Sequence, residues 1–515
     1  MLQRREFLRN VTTGAVVASV GSGMAADLGF SAAFADEGPE RLAFGRLEPL
    51  VGLMQETPAA RLIPMLVERL RQGTQLREVV AAAALANARS FGGEDYIGFH
   101  TMMAMGPAFH MAGELPEARR ALPVLKIVHR NSSRIQDSGH ARSDTLRPVR
   151  PARLPEGRPG ADVLRDSVRQ RNLDEAEGNF AALAGSADDA FNNVLHAVQD
   201  GCEVHCVVMP YRAWDLLGII GRDNAHTLLR QSVRYCVRAE RNQHTQRVFG
   251  PVREMVPRLL DQHRLLTRMG TRQAEDAWID ELSRTIFAAT PARAADAAAA
   301  ALAEGFHPNA VGDAITLAAN QLVLRDNGRA RVEGPNKPIG SIHGDSIGVH
   351  ACDSANAWRN MARISNPRNR AVCLILGAWQ VAHDRAERGG NFLTWEPYPR
   401  AEAREAIRSV AADRLLPSLE DAIRNRDQVR AAAIVHRVSE GNPSPRPLFD
   451  LMLRTAISED GALHAEKFYR TVSEEFASTR PAFRWRHLIA LARVTASQHG
   501  YAAPGHADAC RLLGV

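Results

Sequence analysis

Cysteine is scarce in this chain. Cys202, Cys206, Cys236, Cys352, Cys373 and Cys510 are spread over 515 residues and none stands in a C-x-x-C pair, which excludes a disulfide-stapled scaffold. Cys202 and Cys206 have the spacing of neighbours on one helix face and read as buried thiols rather than a bridge or ligand pair. Aromatic residues make up 6% of the sequence, and β-branched runs of period two are few, which argues against a parallel-sheet enzyme. Beyond the N-terminus no run approaches the roughly 20 apolar residues of a membrane span; the nearest is 371–382. There is no P-loop, no G-x-G-x-x-G after a strand and no G-x-S-x-G elbow, so nucleotide-driven, flavin, nicotinamide and serine-hydrolase chemistry lack their usual fingerprints. Lys and Arg exceed Asp and Glu only by 64 to 58. Arginine is scattered rather than clustered, so nucleic acid is not an expected partner.

What is present is an ordinary globular composition, 45% hydrophobic and 24% charged, with alanine concentrated in runs such as 81–84 and 297–301. Arg61-Leu62-Ile63-Pro64-Met65-Leu66 is echoed by Arg414-Leu415-Leu416-Pro417-Ser418-Leu419, and each precedes a Gln-apolar-Arg step that opens an Ala-rich helix. A third copy starts near Leu282 and passes through Thr290-Pro291, a helix N-terminus signal. The fold expected is all-α, an array or closed toroid of αα-hairpin pseudo-repeats, because small residues let helices approach closely. Residues 36–146, 161–326 and 341–515 are the expected helical segments, joined by a Pro/Arg-rich linker at 147–160 and a loop at 327–340, with one continuous fold over 36–515 as the alternative.

The N-terminus reads Gln3-Arg4-Arg5-Glu6-Phe7-Leu8-Arg9, a weakly apolar run over 10–26, and Ala33-Phe34-Ala35. This resembles a twin-arginine export signal over residues 1–35, which implies an exported, periplasmic protein that meets the export machinery already folded. Such export often accompanies a cofactor inserted in the cytoplasm, which favours a bound metal.

Eighteen histidines are present, several in one local setting with an apolar residue before and a small or apolar one after. His196, Asp200 and Glu203 have spacings of four and three, expected to place an imidazole and two carboxylates on one helix face. His343 and His350, with Asp353 one turn later, form a second cluster behind a helix N-terminus at Asp345 or Ser346. His100, His110 and His129 form a third, in a helix expected to break at Gly106-Pro107. The candidate metal ligands are therefore His100, His110, His196, Asp200, Glu203, His343, His350 and His464. Imidazole with carboxylate suits iron first, and copper, manganese or zinc as alternatives. His196, His350 and Asp353 are the candidate catalytic residues.

The segment Gly348-Val349-His350-Ala351-Cys352-Asp353-Ser354-Ala355-Asn356-Ala357-Trp358-Arg359, with Leu195-His196-Ala197 and Asp460-Gly461-Ala462-Leu463-His464-Ala465-Glu466-Lys467, resembles the questin oxidase-like family. The resemblance implies a helical oxygenase that inserts oxygen beside a ring ketone in a Baeyer–Villiger manner, with His196, His350 and His464 as pocket histidines that bind metal or position the substrate. The function expected is thus an exported metal-dependent oxidoreductase acting on a small molecule. The alternative is a non-catalytic helical-repeat scaffold of the periplasm, in which the histidines are dispersed and a concave face binds a partner.

Overall fold

The computed structural model of the chain describes residues 41–140, 144–267, 270–387 and 391–515; the twin-arginine-type segment lies outside them. Among the described residues helix dominates and no strand forms, the only β-type pairings being the isolated bridges Arg272–Phe306 and Glu459–Ala502. The all-α expectation holds. No helix among these residues is long and apolar enough to cross a membrane.

The Ala-rich runs form helices for local reasons. Leu76–Phe91 opens where the Gln75 backbone N–H donates to the Glu78 carboxylate at 3.2 Å and closes at Gly92, whose φ of 55° a side chain would resist. Ala81 to Ala84 are all buried in it. Pro291–Ala303 starts behind Thr290 with proline at its first position and buries Ala294, Ala295, Ala298 and Ala299. Methyl side chains carry no rotamer entropy into the core. The helix Tyr96–Gly113 does not break at Gly106-Pro107 as expected but runs through Pro107. Met102, Met103, Ala104, Met105 and Ala108 are all buried around it. Their burial, at about 1.5–3 kcal/mol for each large side chain, outweighs a proline cost of about 3 kcal/mol.

The chain divides into two compact units. Of the described residues, the first takes 41–109 and 127–251, and the second takes 110–126 and 252–515. The anticipated linker and loop fall inside these units. In the first unit, residues 147–159 carry no helix but are tied down: Ala152 N–H donates to Gly178 O at 2.9 Å, and Arg230 donates to Arg147 O at 2.6 Å. In the second, the loop after helix Pro308–Arg325 is closed by Arg329 N–H to Ser341 O at 3.1 Å and Gly340 N–H to Arg329 O at 2.8 Å. The second unit also has a polar centre, where the buried guanidinium of Arg359 donates to both Asp313 and Glu475.

Candidate functional site

The carboxylate–imidazole face expected on one helix is not formed. Helix Ala187–Val198 stops before Asp200, and Glu203 is the N-cap of the next helix, Val204–Ile220. Gly201 sits between them, and the Glu203 carboxylate caps by accepting from the backbone N–H groups of His205 and Cys206. Asp200 turns to Arg169, which binds it through two nitrogens at 2.5 and 2.9 Å. His196 faces Asp162 at 3.7 Å. His196, Asp200 and Glu203 therefore have three separate sets of partners. Cys202 precedes the helix that holds Cys206, so the two thiols do not share a helix face; both are buried and neither is in a disulfide.

Glu203 instead organises a cluster that includes one residue the sequence reading passed over, His205. His205 Nδ1 lies 2.5 Å from Glu203 Oε1, and Tyr235 Oη donates to Oε2 at 2.9 Å. On its other side, His205 Nε2 meets His100 Nε2 at 3.3 Å, and His100 Nδ1 lies 2.7 Å from Tyr96 O. Phe99 stacks on His100 with ring centres 4.9 Å apart and leans on His205 at 5.0 Å. Burial pushes the Glu203 carboxyl upward, but His205 and the hydroxyl of Tyr235 outweigh it and hold the group below the usual carboxylate range. Burial and the neighbouring Glu203 charge drive the Tyr235 hydroxyl far up, so it stays a donor.

The second unit holds a parallel pair. His350, in the first turn of helix Ile347–Ile364, meets His464, the first residue of helix His464–Ser478, with Nε2 to Nε2 at 3.0 Å. His464 Nδ1 lies 2.8 Å from Ala462 O. Both imidazoles are buried. The N-cap falls at Ser346, as expected. Asp353, one turn on from His350, accepts from Thr471 Oγ1 at 2.8 Å.

His343 does not join this pair. It lies before the helix and contacts Ser497 Oγ at 2.9 Å and Asn336 O at 2.6 Å, and burial pushes it down to about 4. His110 lies in the last turn of Tyr96–Gly113 and belongs to the second unit, while His129 belongs to the first. Among the described residues no group of three or more His, Cys, Asp or Glu side chains is placed to hold a metal ion.

A sequence signal for the first pair exists. Asp95-Tyr96-Ile97-Gly98-Phe99-His100 and Asp345-Ser346-Ile347-Gly348-Val349-His350 share one Asp-x-Ile-Gly-x-His pattern. Its glycine has a physical cause: a Cβ on Gly98 would meet Phe91 at 2.6 Å, and one on Gly348 would meet the Val323 backbone nitrogen at 2.7 Å. In each case the turn bearing the histidine is pressed onto a neighbouring helix. The aspartates are anchored alike, Asp95 by Arg134 at 2.6 Å and Asp345 by Arg329 at 2.6 Å. Comparison with family models, with curated proteins and with solved structures returns no match for this chain.

Proposed function

We propose that the chain is an exported enzyme of the oxidoreductase class, acting on a small molecule, with His350 and His464 as its acid and base. One observation supports this above the others: two of the three histidines selected by the questin oxidase-like resemblance meet as a buried pair at 3.0 Å. Ala462 O can only accept, so His464 Nδ1 carries hydrogen and its Nε2 presents a lone pair. His350 can then donate to it, and the pair can take up or release a proton at a reacting group; the oxidant is O2, one atom of which enters the ketone while the other leaves as water with two electrons from an external reductant.

The test is oxygen uptake by the full chain with a panel of cyclic ketones and a reductant. His350→Ala and His464→Ala should each lower turnover by at least about tenfold with helical content intact, while His436→Ala retains it. If His350→Ala lowers only the melting temperature, or His436→Ala is as damaging, the reading fails. The scaffold reading draws support from the separate settings of the other histidines, His196 against Asp162 and His343 against Ser497; it gains if no ketone is turned over.

We also infer that the two units are diverged copies of one helical repeat. This rests on the shared Asp-x-Ile-Gly-x-His run, on Thr57-Pro58-Ala59 beside Thr290-Pro291-Ala292, and on Asp200-Gly201 beside Asp460-Gly461 ahead of His205 and His464. Arg171 and Arg426 add a backbone likeness, with φ of 62° and 56° immediately before the N-caps Asn172 and Asp427. That register pairs helix Ala59–Arg71 with Pro291–Ala303, rather than with Leu415–Arg424 as the echo of Arg61 to Leu66 suggests.

A further inference from the structure

Helices Leu415–Arg424, Arg446–Ser458 and His506–Leu513 of the second unit enclose, together with residues 115–122, a cavity of about 320 Å3. That volume lies at the small end of the range of about 300–1,000 Å3 in which proteins hold small molecules. Its floor is apolar, lined by the buried side chains of Leu122, Ile423, Leu451 and Ile457. Its rim is cationic. Arg119 and Arg454 line it and are exposed, and neither guanidinium forms an ion pair or hydrogen bond with a side chain among the described residues. A third arginine, Arg424, is already held by Glu420 at 2.7 Å, and His499 faces Glu459 Oε1 at 3.4 Å. Burial holds the His506 imidazole below its usual 6.5, so it adds no charge at neutral pH. The lining therefore carries two uncompensated positive charges above an apolar floor.

We propose that this cavity binds a small amphipathic carboxylate, with its apolar body against Leu122, Ile423, Leu451 and Ile457 and its carboxylate at Arg119 and Arg454. Both halves of the ligand are needed. A bare anion such as acetate or phosphate would satisfy the guanidinium groups but leave the apolar floor wet. An alcohol of the same length would cover the floor but leave the cations without a counter-charge. The guanidinium group suits this role, because it is weakly hydrated and its planar fork meets both oxygens of a carboxylate. Cys510 stands in the same lining, with Sγ 3.7 Å from His506 Nε2. Burial pushes its thiol up and the charge of Arg119 opposes the shift, which puts that guanidinium within electrostatic reach of the sulfur. A bound carboxylate should therefore shield the thiol, and Cys510 becomes a reporter of occupancy. None of these residues belongs to the His350–His464 pair, so the site does not rest on the acid–base proposal.

The test uses the full chain at neutral pH, titrated in a calorimeter with straight-chain carboxylates from acetate to octanoate, with octanol and with inorganic phosphate. Octanoate should bind with a Kd of about 1 mM or tighter, and each added methylene should tighten binding about two- to fourfold. Acetate, octanol and phosphate should each bind at least about tenfold more weakly than octanoate. Arg119→Gln and Arg454→Gln change exposed side chains and should each weaken octanoate at least about fivefold. Arg511→Gln removes the same charge from the helix that carries Cys510 but from outside the cavity lining, and should leave the affinity unchanged. Saturating octanoate should also slow the labelling of Cys510 by a thiol-disulfide reagent several-fold, where acetate at the same concentration does not. Absence of octanoate binding, octanol or phosphate binding as tightly as octanoate, or affinity unaltered in both arginine variants would overturn the proposal. So would an equal loss in Arg511→Gln, or labelling of Cys510 that octanoate does not slow. Ketone turnover enters none of these readouts, so the two proposals fail separately.

Discussion

Lys126 and Glu466 form an ion pair in the second unit in which both side chains are buried, at 4% and 0% exposure. The ammonium is also satisfied by two carbonyls, Ala456 O at 2.9 Å and Glu459 O at 2.5 Å. Breaking such a pair costs more than its attraction alone, since the charge left behind has lost both water and partner. Lys126→Met should therefore destabilise the protein by about 3–5 kcal/mol, read as a lowered urea midpoint. Lys126→Met with Glu466→Leu should recover most of the loss. A single variant within about 1 kcal/mol of wild type would mean that water reaches Glu466.

Gly348 is required by packing rather than by backbone conformation. A Cβ there would come 2.7 Å from the Val323 nitrogen and 2.9 Å from the Leu322 carbonyl carbon, both main-chain atoms that move only with their helix. Gly348→Ala should cost about 1–3 kcal/mol by overpacking. Gly52, inside helix Glu48–Glu56, has nothing within 4 Å of a built Cβ, so Gly52→Ala should raise stability by about 0.5–1 kcal/mol. Thermal melts of the two variants should shift in opposite directions; a shared direction would refute the contact argument.

Thiol reactivity should be confined to one site. Five cysteines are buried and Cys510 is partly exposed. The hydrogen bond with Cys236, followed by burial, pushes the Cys206 thiol well above its usual range, and burial does the same for Cys352. Thiolate is the reactive form. A thiol-disulfide reagent should therefore label a single equivalent in the native protein, at Cys510, and the other five only after unfolding. Rapid native labelling of Cys206 would contradict the buried placement.

Local chemistry was legible in the sequence, and long-range pairing was only partly so. Alanine runs, the Thr290-Pro291 start and the Ser346 cap are set by residues within a turn of one another, and these appear where expected. His350 and His464 were singled out, but their meeting joins residues 114 apart, and no spacing rule gives such a contact. His205 was missed because the i, i+4 spacing of Cys202 and Cys206 and the His196–Asp200–Glu203 series imply one helix across Gly201, where the chain builds a cap instead. The Glu203 carboxylate, expected as a ligand on a helix face, instead caps the next helix and meets Nδ1 of His205. Pro107 misled in the opposite direction, because its cost is local and the burial that offsets it is not.

The acid side of the stability profile follows from His226. It is fully buried, its ring stacks on Phe180 with centres 5.3 Å apart, and neither ring nitrogen has a hydrogen-bond partner among the described residues. Burial first, and then the charge of Arg230, hold its pKa well below the usual 6.5. The native side chain is therefore neutral at pH values where the unfolded chain takes up a proton. Above about 6.5 neither state binds that proton and the full stability is present. As the pH falls from there toward the depressed native pKa, the unfolded state gains protons that the native state does not, and stability drops by up to about 1.4 kcal/mol per pH unit for one such group. His343 and His487, each pushed down to about 4 by burial, act in the same sense, so the wild-type slope should exceed that of a single group. His226→Phe keeps the ring against Phe180 and removes the unsatisfied nitrogens. Its stability near neutral pH should be equal to or above that of wild type, and its loss of stability between about pH 6.5 and 5 should be smaller by one proton's worth. Urea unfolding across that range measures both quantities. An unchanged slope would mean that His226 is protonated or hydrated in the native protein, contrary to its burial.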